Sequence, residues 1–239
     1  MPRNPRCILP GVAYHVTQRG VNRADVFFSQ ADRDTYLHLV HDQRDEAGVR
    51  VLGWCLMTNH VHWVVVPERG DSLAVLFRRV HGRYAQHINT RRRRSGHLWQ
   101  NRFFSCAVAP ENEEIALRYV EWNPVRAAIV DAPEAYPWSS AAAHLNGPPK
   151  ERIPLLDWSY WQSKGGADAW ARLLRMIEDV REIHRLRRAT YSGAPCGSAE
   201  FVEAMELRFG RYWRISGRPR KGVAREEKGT ERSASQSSG

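Results

Sequence analysis

The sequence predicts an α+β fold: a ferredoxin-like βαββαβ core with an antiparallel sheet, followed by a mainly helical, basic C-terminal region. Three observations lead there. Alternating runs and amphipathic stretches succeed one another as strand, helix, strand, strand, helix, strand. The middle two strands are separated only by Thr58-Asn59, a short hairpin-like connection. After about residue 150 a long helical periodicity follows. A split βαβ unit of this order lays its helices over one face of the sheet.

The elements follow in order. Ala13 to Arg19 alternates and stops at Gly20, as a strand does. Between Asp32 and Ala47, Tyr36, Leu37, Leu39 and Val40 carry helical spacing, closed by Gly48. Val49 to Met57 and His60 to Val66 read as strands two and three. From Asp71 to about Thr90, Leu73, Leu76, Phe77, Val80 and Tyr84 recur at spacings of three and four. Phe103 to Val108 is the fourth strand. Glu111 to Trp122 is helical, with Glu111, Glu113 and Glu114 in the first turn where the dipole favours anions. Pro124 ends or kinks it at Asn123. Pro133 to Pro149 reads as an irregular connection, and Trp170 to Arg188 as one amphipathic helix. Residues 1–145 are therefore expected to form one domain and 150–222 a helical, basic C-terminal region. The Ser, Glu and Lys composition predicts a disordered tail over 223–239.

Composition narrows the function classes. The chain of 239 residues has 42% hydrophobic residues and nine Trp, enough for a globular core. A formal charge of +10 favours a polyanionic partner, because neutralising phosphates releases counterions. Arg heavily outnumbers Lys, and guanidinium suits bidentate phosphate contacts. Cys7, Cys55, Cys106 and Cys196 are scattered without a CxxC, so neither a zinc ribbon nor a disulfide framework is signalled. No apolar run approaches a membrane span and the N-terminus lacks a signal-peptide core. The expected setting is the cytoplasm, in association with the nucleoid.

The chemistry-bearing pattern is His60-Val61-His62 within a strand. Residues two apart share a strand face, so both imidazoles project together and form half of a metal site. Tyr119 and Asn123, four apart on a helix, share a face one turn apart. A nucleophilic phenol and an amide oxygen can thus be offered to the metal held by the histidines.

On these residues the chain resembles the REP-associated tyrosine transposases, within the single-tyrosine HUH nuclease group. Five segments carry the resemblance in order: Tyr14 to Arg23, Cys55 to His62, Gly96 to Phe103, Tyr119 to Arg126, and Tyr136 to Ser140. Thr58 stands where many relatives have Pro. The resemblance implies that His60 and His62 are the HUH metal ligands, Tyr119 the catalytic tyrosine and Asn123 the third ligand. It implies a divalent ion, Mg²⁺ or Mn²⁺, acting as Lewis acid at a scissile phosphate. The implied reaction cuts and rejoins single-stranded DNA at REP-type palindromic hairpins through a 5′-phosphotyrosine. Expected partners are that DNA and no membrane, with the protein a monomer or weak homodimer. Two rivals share the sequence features: a nuclease using metal-bound water, and a non-catalytic DNA-binding regulator that keeps the fold.

DNA contacts are expected from Arg78, Arg79 and Arg83, and from the run Arg91-Arg92-Arg93-Arg94, as backbone-phosphate contacts. Trp99, with His97 beside it, is a candidate to stack on unpaired bases, and Arg102 follows in the same segment. Six basic residues and no acidic one lie between Arg208 and Lys221. There Arg218, Arg220 and Lys221 surround Pro219 in an AT-hook-like pattern suited to a minor groove.

Overall fold

The computed structural model describes residues 6–147, 153–176 and 178–213. Strands β1 (Ala13–Arg19), β2 (Val49–Leu56), β3 (His60–Pro67) and β4 (Phe104–Val108) form one antiparallel sheet in the order β2-β3-β1-β4. This is the order a split βαβ unit requires, with β1 and β3 central. The two central strands are buried almost throughout, and their register pairs Thr17 with His62 and Arg19 with His60.

Helices α1 (Gln30–Ala47) and α2 (Ser72–Arg91) cover one face. Trp63 of β3 meets Tyr36 of α1 and Phe77 of α2 there, at centroid separations of 6.2 and 6.5 Å. Ser29 starts α1 by accepting from the Asp32 N–H, and Gly48 ends it with φ 63°, a left-handed conformation that costs glycine little. The opposite face is not open, as a helices-on-one-side arrangement would leave it. It is covered by α3 (Glu113–Glu121) and by α8 (Val180–Ser192). Because both faces are covered, β3 carries apolar residues on each, and His60 and His62 are the exceptions on the α3 side.

Three local expectations are corrected. The helix expected from Glu111 begins as a 3-10 turn, Pro110–Asn112, and a kink at Trp122 separates α3 from the single turn α4 (Asn123–Arg126). The connection after Pro133 contains α5 (Ala141–Asn146). Trp170 to Arg188 is two helices. After α6 (Trp158–Ser163), α7 (Gly166–Arg175) ends at Met176, which is extended at φ −68°, ψ 146°. Asp179 then caps α8 by accepting from the Arg181 N–H, and this local side-chain bond competes with helix continuation. The chain closes with α9 (Ala199–Phe209).

The C-terminal helices share the core of the sheet. Trp161, Trp170, Leu174, Leu186, Cys196 and Met205 are buried in one cluster with the β-strand residues. Cys196 also bridges to Val108 at the edge of β4. The expected AT-hook-like residues Arg218, Arg220 and Lys221, and the tail over 223–239, lie outside the described residues. No described helix is long and apolar enough to cross a membrane.

Candidate active site

His60 and His62 project from the start of β3 toward α3, their ring centroids 4.9 Å apart. Each has its Nδ1 committed. His60 Nδ1 lies 2.6 Å from Asn59 Oδ1, and the Asn59 amide is oriented by donating from Nδ2 to the Arg23 carbonyl at 2.9 Å. The proton is therefore on His60 Nδ1, which leaves Nε2 with its lone pair. His62 Nδ1 lies 2.9 Å from Nε2 of His15, on the neighbouring strand β1. His15 sits diagonally from His62, two residues from its register partner Thr17 on the same sheet face.

Tyr119 reaches the pair from the other side. Helix α3 packs close against β2 because position 53 is glycine: a Cβ there would come within 2.6 Å of Leu117 Cδ2. That approach sets Tyr119 edge-on to His62 and His15, at centroid distances of 5.6 and 5.5 Å and angles of 89°. The Arg126 guanidinium lies 4.4 Å over the tyrosine ring, donates to the Tyr119 carbonyl and pairs with Glu178 at 2.7 Å. Asn123 Nδ2 donates to the same carbonyl at 3.3 Å.

The electrostatics are those of a largely buried, arginine-rich site whose carboxylate Glu178 is paired with Arg126. Desolvation lowers the His60 pKa to about 4, helped by the charges of Arg19 and Arg187. It lowers His62 well below 6.5, with His60, His15, Arg126 and Arg19 adding to the effect. His15 falls to about 3, through burial and then Arg126. All three rings are neutral near pH 7. Burial raises the Tyr119 pKa, while Arg187, Arg126 and a hydrogen bond from the Asn123 amide oppose it.

Among the described residues no three His, Cys, Asp or Glu side chains converge as a ligand set. His60 and His62 are two neutral imidazoles whose Nε2 lone pairs suit a cation, while the Asn123 amide turns its nitrogen to the Tyr119 carbonyl. Such neutral donors would leave a divalent ion its full charge for phosphate oxygens.

The residues expected to bind DNA sit elsewhere. Arg78, Arg79 and Arg83 belong to α2, in the helical layer on the sheet face opposite Tyr119. Arg79 is paired with Glu46 at 2.7 Å and Arg91 with Asp32 at 2.6 Å, so part of their charge is neutralised. Arg92 stacks on Phe28 at 3.9 Å, Arg94 leans on the His97 carbonyl, and Arg93 is exposed with φ 47°. Trp99 is no open stacking platform. It is 8% exposed, packs on His81 at 4.6 Å and donates to the His81 carbonyl. Its edge lines a cavity of about 480 Å³ beside α2, with Gln18, Arg78, Arg102 and Phe103.

The cations near the site are others: Arg126 and Arg187 act on the tyrosine, and Arg19 on the two histidines. Sequence reasoning also missed His15, Thr190 and Asn59. Alternation in β1 places His15 on the face of Thr17 and Arg19, but its pairing with β3 is a matter of register.

Residues 9–123 match the family described as Transposase IS200 like. No curated protein matches the chain. Among solved structures, the fold is similar to that of the REP-associated tyrosine transposase bound to a REP hairpin. The identity is 18% and the TM-score 0.53, over 66% of this chain and 96% of that one. A protein of Deinococcus radiodurans R1, described provisionally as a transposase, aligns at 15% identity and TM-score 0.36 over 50% of this chain and 96% of its own.

Proposed function

We propose that this chain, whose residues 9–123 match the family described as Transposase IS200 like, cuts and rejoins single-stranded DNA through a covalent bond to Tyr119. One observation carries the reading. The phenol ring stands 5.6 Å from His62, whose own ring is 4.9 Å from His60, where Arg19, Arg126 and Arg187 add positive charge around the two rings of the HUH pair. A nucleophile, two neutral metal-type donors and cationic side chains together suit attack on a phosphodiester.

His60, His62 and Asn123 would hold a divalent ion. When bound, it supplies Lewis-acid withdrawal of charge from the scissile phosphate. The protein's residues do the rest. Tyr119 Oη forms a bond to phosphorus as the bond from phosphorus to the 3′-oxygen breaks, and that oxygen leaves as a 3′-hydroxyl. The phenol must give up its proton, against the upward push of burial. Arg126, Arg187 and the Asn123 amide stabilise the phenolate and so ease that loss. The phosphotyrosine conserves the energy of the broken ester, so a 3′-hydroxyl can reverse the attack and rejoin strands without a nucleotide cofactor.

The substrate class follows from charge and resemblance. The +10 chain carries exposed Arg78 and Arg83 on α2, away from the tyrosine, where a backbone outside the cleavage point would run. A REP hairpin is what the similar structure holds, and it is the first substrate to test on this chain. The test is covalent capture. Labelled single-stranded palindromic DNA with Mn²⁺ should give a protein–DNA adduct resistant to denaturant, abolished by EDTA.

A further inference from the structure

We infer that His15, held by Thr190 of α8, is a positioning residue that locks His62 in the tautomer whose Nε2 faces the metal. This rests on the proposed metal site and names the part of the chain that prepares it.

The hydrogen bonds run in one direction. Thr190 has one hydroxyl hydrogen, and its Oγ1 lies 2.8 Å from the Leu186 carbonyl one turn earlier on α8. With that hydrogen donated, Oγ1 can only accept from His15 Nδ1 at 2.7 Å. The proton of His15 is thereby on Nδ1. Its Nε2 keeps a lone pair and accepts from His62 Nδ1 at 2.9 Å. His62 in turn has Nε2 free. The two imidazole planes are 7° from parallel, which lets the ring N–H of one meet the in-plane lone pair of the other. Cys106 Sγ, 3.3 Å from the same threonine oxygen, adds a weak second donor and leaves the direction unchanged.

The chain is sealed from water. His15 and Thr190 are each 1% exposed and His62 is 4% exposed. A reversed tautomer of His15 would need the Thr190 hydroxyl hydrogen turned from the Leu186 carbonyl to His15 Nδ1, giving up that bond in a buried site. His60 reaches the same state by a shorter route, through Asn59. The two ligands are therefore prepared alike, one from the connection just before its own strand and one from a helix more than a hundred residues later in the chain. Metal-bound histidines are commonly oriented by a partner on the other ring nitrogen, and losing that partner weakens metal binding 10- to 100-fold.

Two measurements test this. Nitrogen-15 correlation spectra of histidine-labelled, metal-free protein report the tautomer directly. His62 and His15 should each carry their proton on Nδ1, and a proton on Nε2 of His62 overturns the inference without any variant. In parallel, Mn²⁺ affinity is measured by titration on the parent, Thr190→Val, Thr190→Ser and His62→Ala. Thr190→Val should bind Mn²⁺ at least about tenfold more weakly, while Thr190→Ser keeps the parent value. Equal affinity in Thr190→Val and the parent, with binding lost in His62→Ala, overturns the positioning role and spares the metal site. Unchanged affinity in His62→Ala removes the metal site and this inference together.

Discussion

Trp170 Nε1 donates to Glu121 Oε2 across 2.7 Å, joining the helix after residue 165 to the helix that carries Tyr119. Glu121 is fully buried, and its other oxygen accepts from Ser140 Oγ and His144 Nδ1, each at 2.6 Å. A buried carboxylate is tolerable only with such partners. Removing it leaves the buried Trp170 and His144 donors unmatched, while Ser140 Oγ keeps the Trp54 carbonyl as an acceptor at 3.3 Å. Glu121→Ala should therefore cost about 3–5 kcal/mol, measured by urea unfolding. A loss under about 1 kcal/mol would mean that water replaces the carboxylate and the cluster is wetter than its burial indicates.

Gly53 controls how closely the tyrosine helix approaches the sheet. In Gly53→Ala the new methyl meets Leu117 Cδ2 at 2.6 Å, too close to keep. Either Leu117 or all of α3 must move. Overpacking of this kind costs about 1–3 kcal/mol, and the shift should slow adduct formation at Tyr119 more than it weakens DNA binding. Comparing adduct rate with binding affinity separates the two effects. Parent-like values for both would show that Leu117 alone yields.

Acid should destabilise the fold through His81, far from the tyrosine. The ring is buried against Phe77 and Trp99 and meets Tyr36 Oη at 3.0 Å, and burial lowers its pKa from 6.5 to about 3. Above pH 6.5 neither the folded nor the unfolded state binds this proton. Between there and about pH 3 only the unfolded chain does, so stability falls as pH falls. The slope from this one group is about 1.4 kcal/mol per pH unit. His81→Gln, which can still hydrogen-bond Tyr36, should flatten the stability-versus-pH line near pH 5 by about that amount. A line parallel to the parent's would assign the acid sensitivity to other buried groups.

Arg78 and Arg83 are exposed on α2, whereas Arg79 and Arg91 are paired with acidic side chains. If DNA backbone crosses this layer, Arg78→Ala and Arg83→Ala should each lower the slope of log K against log salt by about 1. The adduct chemistry on saturating DNA should survive both. A salt slope equal to the parent's in both variants moves the phosphate path off α2.

Which parts of this were readable from the chain follows from the range of the interactions. The strands could be read because alternation is local, and the His60–His62 pair came with them, since a strand fixes the common face of residues two apart. Tyr119 and Asn123 were legible as one helical turn, although the backbone kinks at Trp122 between them. His15 was not, because its role depends on a diagonal across the register of β1 and β3 and on Thr190, 175 positions later. Trp99 was misread as a stacking surface, since an aromatic residue in a polar loop gives no sign that the loop folds back over Tyr36 and Tyr84. The break at Met176 escaped because the apolar period of α7 runs on into α8 with no Gly or Pro between them.

The central claim is that Tyr119 is the nucleophile. The most direct measurement is a denaturing gel of the protein with labelled single-stranded palindromic DNA, run with Mn²⁺, with EDTA, and with Tyr119→Phe. The account predicts a metal-dependent, protein-sized adduct that disappears in the Phe variant while DNA binding persists. Cleavage that continues in the Phe variant with no adduct in either protein would contradict it and transfer the attack to water.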